Sequence, residues 1–275
     1  MTLVQALVLG LVQGATEFIP ISSSAHLVLV PWLLNWDKAP LAFDTTVHWG
    51  TLVAVLAVFW RDIWALVAAG WNSLLSAIDK RNPYDRTQAR LAWTIVLASL
   101  PAALAGFFLE GFFEELFGEP VTVAGLLLVT AAVLTLSERI GQQDRPLSSI
   151  RWPDGLFIGV AQAVAIMPGI SRSGSTIGAG LVRGVRREAA ARFSFLLSVP
   201  VILGAGLFQL LDLTAAGGLG DLVGALIVGF VMAAVSGYLC IRWLLRYLSH
   251  RSMNLFAAYC VLFGTFNLVV ALLRG

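Results

Sequence analysis

Two short stretches set groups capable of chemistry inside otherwise apolar sequence. The first, GLVQGATEFIPISSSAHL over residues 10–27, carries Gln13, Glu17, Ser22, Ser23, Ser24 and His26. Gln13 precedes Glu17 by four residues, so a helix projects both from one face. Pro20 ends that helix, and three serines stand where the next must begin, gathering hydroxyls beside free backbone N–H groups. His26 follows Ser23 by three residues and shares its face. The second stretch, IMPGISRSGSTIGAG over residues 166–180, breaks at Pro168 and Gly169. It surrounds Arg172 with the hydroxyls of Ser171, Ser173, Ser175 and Thr176, while Gly174 and Gly178 allow close approach to the backbone. A guanidinium beside a helix N-terminus suits a phosphate-like anion, although a structural bridge to Glu17 is the plainer alternative. Carboxylate, imidazole, hydroxyls, arginine and two helix N-termini together suit phosphoryl transfer. In that reaction a hydroxyl attacks phosphorus, cations and N–H dipoles hold the equatorial oxygens, and a base manages the proton. No HExxH, Walker loop, G-x-G-x-x-G or His/Cys cluster is present.

The elements that position these stretches are membrane helices. Of 275 residues 58% are hydrophobic and 12% charged, which excludes a soluble globule. Long continuous apolar runs also exclude a barrel. Six of them, at about 41–60, 91–109, 121–138, 193–211, 221–241 and 253–273, reach the roughly 17 to 25 residues that a crossing needs. The two broken regions, about 3–33 and 155–182, read instead as re-entrant helical hairpins, since non-helical backbone at membrane depth survives only around protein or a water-filled cavity. No basic stretch precedes the first apolar run, which Gln13 and Glu17 interrupt, so no removable leader is expected. Cys240 and Cys260 read as packing residues, and 18 bases against 16 acids imply no nucleic-acid partner.

Most of those bases fall on one side of the spans: Arg61, Lys80, Arg81, Arg86 and Arg90; Arg139, Arg145 and Arg151; Arg183, Arg186, Arg187 and Arg192; Arg242, Arg246 and Arg251. That side is expected to be cytoplasmic. The other holds Lys38 and Arg274 with the acids Glu110, Glu114, Glu115, Glu119, Asp212 and Asp221. The hairpins then enter from opposite faces, the first from outside. A weak repeat agrees: Gly10-x-x-Gln13 with Pro20 and Ser22 parallels Gly159-x-x-Gln162 with Pro168 and Ser171, and Phe43 parallels Phe193. The expected fold is therefore an all-α polytopic membrane protein, a single domain over 1–275, whose halves at about 1–140 and 150–275 form an inverted-topology repeat.

QGATEF with PISSSAH, and later PGISRSGST, resemble the signature motifs of the bacterial undecaprenyl-diphosphate phosphatases of the bacitracin-resistance type, and the likeness spans essentially the whole chain. The resemblance implies hydrolysis of undecaprenyl diphosphate to undecaprenyl phosphate and inorganic phosphate, recycling the lipid carrier of cell-wall synthesis. It also implies a bacterial plasma-membrane location, an active site open to the external face, a homodimer and a divalent cation, Mg²⁺ or Ca²⁺. By position, Glu17 matches an acid of the first motif, Ser23 the nucleophile and His26 the general acid/base; Ser171 and Arg172 match the phosphate-binding pair. Ser22, Ser173, Gly169, Gly174, Thr176 and Gln13 complete the expected substrate site. Gln13 stands where many members have glutamate, so the cation is expected on Glu17, diphosphate oxygens and water. Direct attack by water, with His26 as base, stays open beside the covalent route.

The competing class is a polyprenyl-phosphate flippase or secondary transporter, because inverted repeats with broken helices are a transporter signature. The Ser23 and His26 pair favours an enzyme, since anion transport needs no nucleophile, and a purely structural protein gives buried Glu17 and Arg172 no purpose. Asp44 and His48, four apart, read equally as the pocket mouth or a water-facing pair at a helix end.

Overall fold

The computed structural model describes residues 1–80, 82–140, 143–216 and 222–274, with backbone alone for Glu110, Glu114 and residues 210–216. The placements of Arg81 and Asp221, the start of the fifth expected span at 221, and the side chains of Glu110, Glu114 and Asp212 lie outside the described residues. The elements are α1 (Leu3–Phe18), α2 (Ser23–Leu33), α3 (Leu41–Ile78), α4 (Arg86–Phe108), α5 (Glu110–Phe117), α6 (Pro120–Arg139), α7 (Trp152–Val164), α8 (Arg172–Val182), α9 (Arg187–Ala216), α10 (Val223–Leu248) and α11 (Asn254–Arg274). Among the described residues the β structure is one isolated bridge, Arg145 to Val185. Among the described residues six helices, α3, α4, α6, α9, α10 and α11, are long and apolar enough to cross a membrane, so the chain is an all-α multi-pass membrane protein.

Helix bounds differ from the apolar spans where polarity ends a span without ending a helix. α3 continues well past residue 60, through a kink at Phe59 (φ −107°, ψ 18°), because no proline or glycine stops it there. Its extension carries exposed Trp60, Trp64 and Trp71, as interface anchors do. The short α5, between the second and third spans, was not expected.

Packing is interleaved. α1 lies along α10 and α7 along α4, and each contact rests on a Gly-x-x-x-Gly pair. A Cβ on Gly10 would come within 2.6 Å of the Gly229 carbonyl, and one on Gly159 within 2.9 Å of the Ala98 Cα; Gly14 and Gly155 are as closely covered. Small residues let backbones meet, which is how helices associate where lipid supplies no hydrophobic drive. α3 packs on α9 and α10, and α6 on α11 and α8, so the first helix of each broken pair is seated on a span from the other half of the chain. Phe18, Phe59 and Phe195 fill the centre, Phe195 lying edge-on to Phe18 at 5.4 Å.

The arginine-rich end is tied together by carboxylates. Asp154 receives Arg145 at 2.7 Å and Arg183 at 2.8 Å, and Glu138 receives Arg187 at 2.6 Å and the Met253 N–H at 2.7 Å. Burial works to raise the Asp154 pKa, but hydrogen bonds from Arg145, Arg183 and the Arg151 N–H prevail and hold it down at about 2.

Candidate active site

The break between α1 and α2 is built by Pro20 and stabilised by Ser22. Ser22 adopts φ 69°, ψ 96°, a conformation rare for an L residue, and caps α2 by accepting from the Ala25 N–H. The turn leaves Ser23 at the first position of α2, partly exposed and facing back toward the end of α1. There its hydroxyl donates to Glu17 Oε2 at 2.6 Å, and the Gln13 amide donates to the same oxygen at 3.1 Å.

The break between α7 and α8 is held from outside. Gly169 sits at φ 101° against the backbone of α6, where a side chain would collide with the Val123 carbonyl. Thr130 of α6 then straps the loop, donating to the Gly169 carbonyl at 2.8 Å and accepting from the Ser171 N–H at 2.9 Å. Ser171 caps α8 through the Gly174 N–H at 3.0 Å and lies 3.2 Å from the Ser173 hydroxyl.

An ion pair joins the two breaks. Arg172, the first residue of α8, donates to Glu17 Oε1 at 3.0 Å, with the Arg172 and Glu17 side chains only 15% and 6% exposed. A second donation reaches the Ser194 carbonyl at 3.3 Å, and the Ser173 hydroxyl reaches the Ile19 carbonyl at 3.4 Å. His48 of α3 places Nε2 3.9 Å from Glu17 Oε2, with its Nδ1–H given to the Asp44 carbonyl. Glu17 thus holds a hydroxyl and a guanidinium within reach of each other. Two buried polar atoms beside it, Arg172 Nε and Gln13 Oε1, have no hydrogen-bond partner among the described residues. An unmatched donor and an unmatched acceptor at a buried centre cost free energy unless a ligand satisfies them.

Of the residues expected from sequence, the structure brings Gln13, Glu17, Ser23, Arg172, Ser171 and Ser173 to this junction. Ser22, Gly169 and Gly174 shape its backbone. His26 is not brought to Ser23. Its Nδ1 lies 2.7 Å from the Ser22 carbonyl and its Nε2 2.7 Å from the Tyr259 hydroxyl, so both ring nitrogens are taken and Glu17 holds the Ser23 proton instead. Thr176 is also turned away: its buried hydroxyl bonds the Arg172 carbonyl at 2.8 Å and Ser194 Oγ at 2.6 Å. His48, which sequence alone left undecided, faces Glu17. Thr130, Ser194 and Tyr259 went unrecognised because a lone polar residue in an apolar span reads as packing until its partner is known.

The described residues include no group of three or more His, Cys, Asp or Glu that could hold a metal. The available donors are the Glu17 carboxylate and the orphaned Gln13 carbonyl oxygen. That all-oxygen pair fits a hard cation that brings most of its own ligands, and no softer metal.

Comparison with known proteins gives the family. The family model "Bacitracin resistance protein BacA" matches residues 6–266. A protein of Desulforudis audaxviator named undecaprenyl-diphosphatase is 46% identical, with 98% of each chain covered. Proteins of the same name from Thermomicrobium roseum (45%, 97% of each chain) and Moorella thermoacetica (44%, 100% of each) are similar in the same way. Residues 6–266 include both broken helix pairs and the ion pair that joins them, and the chain belongs to the bacitracin resistance protein BacA family.

Proposed function

We propose that this chain is an integral membrane phosphatase that hydrolyses undecaprenyl diphosphate to undecaprenyl phosphate and inorganic phosphate, the activity in the names of its relatives. The observation that carries the proposal is the contact of the Ser23 hydroxyl with a buried carboxylate that also holds Arg172. A carboxylate 2.6 Å from a hydroxyl is placed to take its proton, and a guanidinium on the same carboxylate is placed to pass to an arriving phosphate.

In the reaction, Arg172 turns from Glu17 to the terminal phosphate, using Nε as well as its terminal nitrogens, with Ser171, Ser173 and the free N–H groups of α8 around it. As the bond from Ser23 Oγ to phosphorus forms, the Ser23 proton passes to Glu17 and the bridging P–O bond breaks, releasing polyprenyl phosphate, whose freed oxygen takes that proton from Glu17. Water then attacks the phosphoserine and gives a proton to Glu17 as the bond from Ser23 Oγ to phosphorus breaks; inorganic phosphate leaves, and Ser23 Oγ takes the proton back from Glu17. A divalent cation, Mg²⁺ or Ca²⁺, would sit on Glu17 and Gln13 Oε1 and would neutralise diphosphate charge. The same reading places the protein in the bacterial plasma membrane as a homodimer, with the site open to the external face and the prenyl tail between helices. It takes the halves at about 1–140 and 150–275 as an inverted repeat of one domain, supported by the matching seats of α1 on α10 and α7 on α4. Those seats also favour a second reading, a polyprenyl-phosphate flippase or transporter on the same scaffold.

Phosphate release from a polyprenyl diphosphate by the purified protein in detergent, with and without EDTA, separates the two. Cation-dependent release that Ser23→Ala and Arg172→Ala both abolish supports the phosphatase. No release from folded wild-type protein refutes it and moves the reading to transport.

A further inference from the structure

We infer that Tyr259 is a positioning residue which acts through His26, and that the pair clamps the backbone presenting Ser23 rather than exchanging a proton with it. The inference deepens the phosphatase reading and rests on it for its kinetic consequences only.

The argument starts from donors and acceptors. A carbonyl oxygen can only accept, so the 2.7 Å contact between His26 Nδ1 and the Ser22 carbonyl requires the ring proton on Nδ1. In the neutral ring Nε2 is then an acceptor, and the Tyr259 hydroxyl, 2.7 Å away, donates to it. The phenol therefore stabilises the tautomer that holds Ser22. His26 is 4% exposed and its ring lies parallel to Phe263 at 4.8 Å, so stacking as well as both hydrogen bonds hold the ring where it is. The carbonyl it grips belongs to the residue at φ 69°, and that turn sends the next residue's hydroxyl to Glu17. A residue in a rarely populated conformation keeps it only where its surroundings over-determine it. Here the Ala25 N–H, Ser24 Oγ and the His26 ring all fix Ser22. α11 also touches the same turn at Cys260 Sγ, 4.0 Å from the Pro20 carbonyl. The last helix of the chain thus fixes the geometry of the first break.

The test turns on a substitution that separates clamping from acid–base chemistry. His26→Asn places an amide N–H where Nδ1–H stood, so it can still donate to Ser22, but it cannot carry a proton. The expected result is that His26→Asn keeps a tenth or more of wild-type kcat, while His26→Ala loses about a hundredfold. Tyr259→Phe is expected to lower kcat about tenfold with KM nearly unchanged, as for one lost hydrogen bond. The chain has 3 histidines, so ¹⁵N-histidine NMR resolves each ring. His26 should show the Nδ1–H tautomer in wild type and a mixture of tautomers in Tyr259→Phe. Equal inactivity of His26→Asn and His26→Ala, with both folded, overturns the inference, as does an Nε2–H tautomer in wild type. Should His26→Ala fail to fold, the Asn variant and the spectra decide. Should wild type release no phosphate, the phosphatase reading fails, and the spectra alone judge the clamp.

Discussion

Glu17→Gln isolates what the buried carboxylate contributes, because the amide keeps the shape of the site and loses only its charge and basicity. The carboxylate now accepts from Ser23 at 2.6 Å, Gln13 at 3.1 Å and Arg172 at 3.0 Å. The amide oxygen can still accept from one of them, but its NH₂ faces donors, and Arg172 is left charged and 85% enclosed without a counter-ion. Removing one partner of a buried pair costs about 3 to 5 kcal/mol, and the remaining amide hydrogen bond offsets part of that, leaving about 2 to 3 kcal/mol. Catalysis should fall further. With no base for the Ser23 proton, the expected loss in kcat is about 10² to 10⁴. Phosphate release gives the rate, and thermal unfolding in detergent, followed by the fluorescence of the 9 tryptophans, gives the stability. The decisive comparison is the double variant with Ser23→Ala. If Ser23 and Glu17 act in one step, losing both costs no more than losing one. Multiplicative losses, or a Glu17→Gln enzyme within tenfold of wild type, would refute the assignment of Glu17 as the base.

Three further outcomes follow from other contacts. Thr130→Val strands the Gly169 carbonyl and the Ser171 N–H; it should cost about 1 to 3 kcal/mol and raise KM for the diphosphate more than it lowers kcat, read by unfolding and steady-state kinetics. Gly10→Leu and Gly159→Leu should each abolish folded protein in size-exclusion chromatography, whereas Gly125→Leu, with open space around it, should not. The pKa of Asp154 is depressed in the fold, so its ion pairs stabilise fully above the ordinary carboxylate value of about 4 and lose that stability as pH falls toward about 2. Asp154→Asn should therefore unfold at lower temperature at pH 7 and show a flatter dependence of stability on pH across that acid range.

Local sequence was enough to place the spans and the two breaks. Apolar length marks a crossing helix, and Pro20 and the Pro168–Gly169 pair, each followed by hydroxyl residues that can cap a new helix, mark the breaks, so six spanning helices and two interrupted pairs among the described residues were legible without partners. Glu17 and Arg172 also stood out, since a charge in apolar sequence has to be satisfied by something distant. Which groups touch was a different matter. Spacing along α2 put His26 on the face of Ser23, yet the ring was claimed by Tyr259, 233 residues away, and Ser23 by Glu17 across the turn. Thr130 and Ser194 are ordinary members of apolar helices until packing brings α6 and α9 against α8. Sequence by itself determined which residues are costly to bury, because that cost belongs to each side chain. Only the tertiary structure decided which of them satisfy one another, because a hydrogen bond depends on distance and direction between segments that the chain order leaves free.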